Sequence, residues 1–215
     1  MCGRYTLFTP ADLSKRFGLV NHLDLAPTYN ASPGTDLPVI FRSQNSNLVQ
    51  LMHWGLIPFW AKDRGIGNNM INARAESVTL KPAFRSAFKN NRCLIPASGF
   101  YEWDEKHQPY YFHRSSDLFA FAGIYDIWTD TFGRETYSFA IITTQPTVQM
   151  CSIHDRSPVI INQGAESDWL FASQSSATLT RLLRPFASPL DVYPVSPSIN
   201  RPKKDSPDLI QPFNV

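Results

Sequence analysis

Long apolar runs, paired cysteines and a strong net charge are all missing from this sequence. Hydrophobic residues make up 43% of the 215 residues, but they are scattered in short runs. A membrane-spanning helix needs about 20 consecutive apolar residues, so we expect no membrane partner. The first residues also lack the charged and apolar regions of a secretory leader, which predicts a cytoplasmic protein. The net charge of +2 names no partner by itself.

Cysteine is scarce and unevenly placed. The three cysteines, Cys2, Cys93 and Cys151, are odd in number and far apart in the chain. This usage argues against a disulfide framework and for a reducing compartment. None lies in a Cys-x-x-Cys motif or beside a histidine, so we expect no metal site.

Positive charge is concentrated in residues 62–92, which hold seven Lys or Arg residues against two acidic ones. Aromatic residues accompany it, with Phe59 and Trp60 just before the stretch and Phe84 and Phe88 within it. Cations neutralise phosphates and rings stack on unpaired bases, so this pattern predicts single-stranded nucleic acid binding. The alternative is an ordinary solvated basic face.

The periodicity predicts many short strands with few helices between them. A hairpin is expected at residues 37–42 and 48–54, and a Pro-rich tail at 194–215 should wrap the body in extended form. The predicted fold is α+β, one domain over residues 1–215, with a mostly antiparallel, barrel-like sheet and several peripheral helices. Other strands are expected at 2–8, 92–96, 99–104, 109–114, 118–128, 135–144 and 158–161, a polar turn at 115–117, and helices at 10–17, 82–90, 164–172 and 175–184.

The second residue offers unusual chemistry. Aminopeptidases remove an initiator methionine that precedes a small side chain, so loss of Met1 would leave Cys2 with both a free α-amine and a thiol. Both groups titrate close to neutrality in ordinary peptides. Such an aminothiol condenses with an aldehyde to an imine, and the thiol then closes a thiazolidine ring. The alternative is a buried, ordinary Cys2 with Met1 retained.

Two further residues are candidates for proton transfer. Glu102 lies in a predicted strand between Tyr101 and Trp103, and an acid among aromatic neighbours has a raised pKa. His154 precedes Asp155 at the entrance to another predicted strand, where a loop can present it to a cleft. Taken alone, each residue is better explained by a structural role, Glu102 as a buried ion-pair partner and His154 as a loop histidine.

Four ordered segments together resemble the SOS response-associated peptidase (SRAP) family, and the resemblance covers nearly the whole chain. The family resemblance implies a sensor and processor of abasic sites in single-stranded DNA that forms a covalent cross-link through Cys2. It also implies self-removal or enzymatic removal of Met1. The imine chemistry needs no cofactor, and an imine left open would allow strand cleavage, so weak lyase activity is expected. The small size and the lack of an apolar surface stripe predict a monomer, associated with the nucleoid if the protein is bacterial. The segments are Met1-Cys2-Gly3-Arg4, Ile71-Asn72-Ala73-Arg74-Ala75-Glu76, Gly99-Phe100-Tyr101-Glu102-Trp103 and His154-Asp155-Arg156-Ser157-Pro158.

The resemblance also assigns roles to individual residues. Two positions depart from the family pattern, Ser32 before Pro33 and Ser157 after Arg156, which puts sequence-context preference in doubt more than activity. The implied catalytic residues are Cys2, Asn72, Glu102 and His154, and the implied DNA-binding residues are Arg4, Pro33, Trp60, Arg74, Arg85, Thr143 and Arg156.

Three other functions remain open from the sequence. A class II glutamine amidotransferase also begins Met-Cys-Gly and uses the cysteine thiol, but this chain continues with Arg4 and Tyr5 and lacks the glutamine-holding segments. A cysteine protease could use Cys2, His154 and Glu102 as a triad. A non-catalytic nucleic-acid-binding module would rely on residues 62–92 alone.

Overall fold

The computed structural model describes residues 2–114, 118–171, 174–201 and 203–214. Sheet structure dominates, and the helices are short. The strands are β1 (Tyr5–Leu7), β2 (Thr28–Ala31), β3 (Asp36–Ser43), β4 (Ser46–Trp54), β5 (Asn72–Arg74), β6 (Arg92–Ala97), β7 (Gly99–Trp103), β8 (Pro109–His113), β9 (Phe119–Thr129), β10 (Glu135–Thr144), β11 (Ser157–Pro158), β12 (Ile160–Ile161) and β13 (Asp191–Pro194). The α-helices are α1 (Leu13–Phe17), α2 (Arg85–Asn90), α3 (Glu166–Leu170) and α4 (Ser176–Leu182).

Five strands close a barrel. They follow the order β10, β4, β3, β6 and β9, and β9 pairs back with β10. Every neighbouring pair in this ring is antiparallel except β4 with β10. Closure leaves these strands without free edges, which protects them from pairing with other chains. The predicted α+β fold with a mostly antiparallel, barrel-like sheet is therefore confirmed.

Both faces are buried along β6 and along much of β3, β9 and β10. On β3, Val39 belongs to one apolar cluster and the next residue, Ile40, belongs to another. The second cluster is covered by the helices, including Phe88 of α2 and Trp169 of α3. This two-sided burial explains why the barrel strands are apolar runs rather than alternating patterns.

A second, fully antiparallel sheet of five strands has the order β13, β8, β7, β1 and β2. It sets the start of the chain beside β7, because Tyr5 pairs with Phe100 and the Tyr101 amide donates to the Arg4 carbonyl at 3.0 Å. The register therefore brings residues 2–4 close to Glu102. The barrel contributes its own residues through β5, whose Asn72 lies opposite Ile141 of β10.

Several predicted boundaries need correction. The hairpin between β3 and β4 turns on two residues, Gln44 and Asn45, whose φ values of 47° and 69° form the tight turn that matches strand twist. The helix expected from residue 82 begins at Arg85. The predicted strand 158–161 is divided between β11, which pairs with β10, and β12, which pairs with β9. The change of partner falls at Val159, whose amide donates to Ile142 of β10 and whose carbonyl accepts from Ala122 of β9.

The C-terminal tail is not extended throughout. It begins as β13 on the edge of the second sheet and then forms two 3₁₀ turns, Pro197–Asn200 and Pro207–Ile210, which the prediction missed. Strand β2 was also missed, and it contacts the second of these turns. The predicted turn at 115–117 and residue Met1 lie outside the described residues.

Candidate active site and DNA-facing surface

The first pair of candidate catalytic residues is joined directly. The Asn72 side-chain amide donates to the Cys2 carbonyl at 3.0 Å. Cys2 has no exposed surface, whereas Asn72 is half-buried at the start of β5, and its Oδ1 atom is buried without a partner. The amide nitrogen of Asn72 therefore fixes the main chain just ahead of β1.

The second pair of candidate residues is Glu102 and His154. Glu102 on β7 is only 2% exposed, and its Oε2 atom is 3.9 Å from Nε2 of His154. Burial raises the pKa of Glu102 to about 7. A carboxyl group with this pKa exchanges protons at neutral pH, as a general acid or base must. The expectation of a raised Glu102 pKa is thus confirmed.

The pKa shifts of Cys2 and His154 both oppose the thiolate–imidazolium pair that a cysteine protease uses. Burial, and then the charge of Glu102, raise the pKa of the Cys2 thiol well above its usual range. Burial also lowers the pKa of His154. At neutral pH the folded protein therefore holds a neutral thiol and a neutral imidazole, which corrects the expectation that the thiol titrates close to neutrality.

The candidate DNA-binding arginines divide into an exposed pair and a half-buried pair that is hydrogen-bonded within the protein. Arg74, at the end of β5, and Arg85, at the start of α2, are exposed. Arg4 is half-buried, donates to the Gly3 carbonyl at 3.0 Å and keeps a buried Nε atom without a partner. Arg156 is held by Glu76 through two bonds of 2.8 and 2.9 Å.

Thr143 is fully buried in β10, and its carbonyl accepts a hydrogen bond from Arg156 at 2.8 Å. A side chain in this position has no surface to offer a DNA phosphate. Any contribution of Thr143 to DNA binding in this conformation therefore passes through Arg156.

The aromatic residues expected to face DNA are only partly available. Trp54, Phe84 and Phe88 are buried in the core, whereas Phe59 and Trp60 are 58% and 49% exposed. Arg92, counted in the basic stretch, is also buried and donates to the carbonyls of residues on α2 and around α3. The basic stretch thus serves two purposes, with part of it stabilising the core.

The loop that carries Phe59 and Trp60 is anchored at three points on the barrel. Side chains of β9 and β10 bind its main chain: Ser138 accepts from the Ile57 amide at 2.8 Å, Asp126 accepts from the Phe59 amide at 2.9 Å, and Trp128 donates to the Ala61 carbonyl at 2.8 Å. These anchors hold the two exposed rings in a fixed position.

A groove of about 550 Å³ runs between this loop and α2, lined by Phe59, Trp60, Arg85, Phe88 and Lys89 among others. Its walls combine exposed rings with two exposed cations. The turn that holds Pro33 is bonded to the end of β4, where the Gly34 amide donates to the Trp54 carbonyl. Pro33 itself is half-buried.

The two departures from the family pattern have ordinary local roles. The Ser32 carbonyl accepts from the Thr35 hydroxyl at 2.7 Å within the turn around Pro33. Ser157 is buried, and its hydroxyl donates to the Pro158 carbonyl at 3.2 Å. Among the described residues, no helix is long and apolar enough to cross a bilayer, and no three His, Cys, Asp or Glu side chains are grouped as metal ligands.

The sequence model of the SOS response associated peptidase (SRAP) family matches residues 1–202, and the chain belongs to that family. Two proteins of Bacillus subtilis are similar to it over nearly their full lengths. The abasic site processing protein YoqW is 42% identical over 98% of this chain and 99% of its own, and the abasic site processing protein YoaM is 41% identical over 100% and 99%.

A solved structure shows the same fold. The crystal structure of a protein from Bacteroides thetaiotaomicron superposes with a TM-score of 0.92 at 30% identity, covering 99% of this chain and all of that one. Sequence reasoning had assigned no role to Glu76, although it lies in the same quoted segment as Asn72. Only the fold shows its bond to Arg156.

Proposed function

We propose that this protein processes abasic sites in single-stranded DNA by forming a covalent cross-link through Cys2 after Met1 is removed. The observation that carries the proposal is the contact of Cys2 with Asn72 beside a buried Glu102 whose pKa is about 7. The names of the Bacillus relatives support the same substrate. The protein is further proposed to act as a cytoplasmic monomer.

The reaction begins at the amine. Loss of Met1 converts the Cys2 amide nitrogen into a primary amine, which adds to the aldehyde carbon of the ring-opened abasic sugar. Glu102 accepts a proton from the attacking nitrogen and returns one to the departing hydroxyl, so that an imine and one water molecule form. As the sugar ring opens, the C1′ hydroxyl gives up its proton and becomes the aldehyde, and His154 shuttles a proton to the ring oxygen.

The thiol reacts second. Its S–H bond adds across the imine, sulfur bonding to carbon and the proton going to nitrogen, and this closes a thiazolidine. Burial keeps the thiol protonated at neutral pH, and this is the proton that the imine nitrogen takes as sulfur adds. Asn72 holds the Cys2 main chain, and such positioning can supply several kcal/mol of the barrier. An imine left open would permit strand cleavage, so we expect weak lyase activity as a side reaction.

Single-stranded DNA suits the surface better than a duplex. The exposed rings of Phe59 and Trp60 can stack on unpaired bases, while Arg74, Arg85 and Lys89 offer charge to phosphates. In a duplex the abasic sugar would first have to leave the stack, at a cost of a few kcal/mol.

The experiment mixes the purified protein with an oligonucleotide that carries one abasic site and measures a heat-stable shifted band. Wild type should form the band, whereas Cys2→Ala and a protein with one extra residue retained ahead of Cys2 should not. Cys151→Ala is the matched control, because Cys151 is an exposed free thiol. Its band should equal that of wild type.

The rival functions have their own readouts in the same preparation. Release of glutamate from glutamine would indicate an amidotransferase, and cleavage of a foreign peptide that is lost in Cys2→Ala would indicate a protease. The high thiol pKa of Cys2 disfavours the protease, whose nucleophile works as a thiolate. Equal DNA behaviour of wild type and Cys2→Ala would refute the cross-link and favour a simple binding module.

A further inference from the structure

The ion pair between Glu76 and Arg156 joins two segments of the site that are far apart in the chain. Both terminal nitrogens of the guanidinium group donate to Glu76, Nη1 to Oε1 at 2.8 Å and Nη2 to Oε2 at 2.9 Å. Nη2 also donates to the Thr143 carbonyl at 2.8 Å. This paired geometry fixes the plane of the guanidinium group, which a single bond would leave free to rotate.

The main chain of Arg156 in turn contacts the candidate catalytic histidine. Its amide donates to Nδ1 of His154 at 3.0 Å. Asp155 Oδ1 lies 3.1 Å from the same nitrogen, but that carboxylate is largely exposed and hydrated, whereas the amide direction is fixed by the chain. With Nδ1 accepting, the neutral ring carries its proton on Nε2, the atom that faces Glu102.

The same ion pair occupies donors that DNA would otherwise use. The two terminal nitrogens of Arg156 make four hydrogen bonds to Glu76 and Thr143, the longest of them 3.5 Å to the Thr143 hydroxyl, and the Nε atom is buried. The Glu76 carboxylate also places a negative charge two residues after exposed Arg74. Both effects disfavour an approaching phosphate.

We propose that Glu76 is a positioning residue of the abasic-site reaction, which orients His154 through Arg156 and weakens DNA binding as a consequence. The inference rests on the proposed function. A purely structural role of Glu76 would make loss of its charge lower both the cross-linking rate and the affinity for DNA. In this proposal Glu76 raises the rate of cross-linking and lowers the affinity for DNA.

The test compares Glu76→Gln with wild type in single-turnover cross-linking to an oligonucleotide with one abasic site, together with binding of the same sequence without the lesion. Binding of the intact strand should become about 2- to 5-fold tighter, the effect of one surface charge. Cross-linking at saturating DNA should become about 10-fold slower, because small losses of orientation cost this much or more. Glu135→Gln, an equal charge change at an exposed position, should change neither the affinity nor the rate.

Two further measurements tie the effect to its route. In an Arg156→Ala background, Glu76→Gln should have no additional effect on the cross-linking rate. Nitrogen NMR of His154 should show the Nε2–H tautomer in wild type and a mixture in Glu76→Gln. If Glu76→Gln does not fold, Glu76→Asp replaces it, with wild-type DNA affinity and an intermediate rate expected.

The outcomes separate cleanly. Weaker DNA binding together with slower cross-linking would mean a structural role only, and an unchanged rate would mean none; either result overturns the role of Glu76 while leaving the proposed function intact. A wild-type protein that forms no cross-link would overturn the proposed function and this inference with it.

Discussion

Replacing Glu102 with glutamine should stabilise the protein increasingly as pH rises, while it removes the candidate proton carrier. In the folded protein burial raises the Glu102 pKa from 4.5 to about 7. The folded state therefore binds a proton more tightly than the unfolded chain. Stability from this group is fully present below pH 4.5 and is lost as pH rises through about 7.

The size of the effect follows from the same two values. At about 1.4 kcal/mol per pH unit, the carboxylate destabilises the folded state by about 3 kcal/mol at pH 8, and most of this develops between pH 5 and 8. Glutamine has nearly the same shape but no charge, so the difference in unfolding free energy between Glu102→Gln and wild type should rise by about that amount.

Urea unfolding of both proteins at several pH values measures this difference, and Glu105→Gln, an exposed neighbour, is the matched control. A difference that stays constant from pH 5 to 8 would refute the reasoning that Glu102 is buried with a raised pKa.

In the cross-linking assay, Glu102→Gln should be slower by roughly 10²- to 10⁴-fold, the usual contribution of a general acid or base. Mass spectrometry of the amino terminus confirms that both proteins have lost Met1 before rates are compared.

Two further predictions concern the DNA-facing surface. Trp60→Ala should weaken binding of intact single strands by about 1–3 kcal/mol in a titration without changing the unfolding free energy, whereas Leu80→Ala, also exposed, should change neither quantity. Arg74→Ala should reduce the slope of log affinity against log salt by about 1, and Arg92→Met should leave that slope unchanged but cost roughly 3–5 kcal/mol in urea unfolding, because it strands several buried carbonyls. Equal salt slopes in wild type and Arg74→Ala would exclude Arg74 as a phosphate ligand.

The anchored loop and the groove beside it suggest a rigid surface for unpaired bases. Asp126, which accepts from the Phe59 amide, is itself buried. Rings held in this way lose little freedom when a base stacks on them, so more of the stacking energy remains for binding.

Much of this protein is predictable from its sequence by local physical rules. The apolar runs place β6 to β10 within one residue at each end, because burial of both faces demands continuous apolar segments, whereas β2, β5 and β13 lie outside the predicted strands. Gly18 ends α1 with a φ of 60°, as its position after the apolar pattern predicts. Each of the four segments that resemble the family is also a continuous run of residues, so it can be found without knowledge of the fold.

The tertiary structure alone decides which residues meet. The sheet registers bring Cys2 to Asn72 across 70 residues and place Glu102 beside His154. Burial then sets the pKa values, and it divides the basic stretch between an exposed Arg85 and a buried Arg92. Distance along the chain carries no information about such contacts, because they depend on how strands pair and on which side chains lose water when the barrel closes.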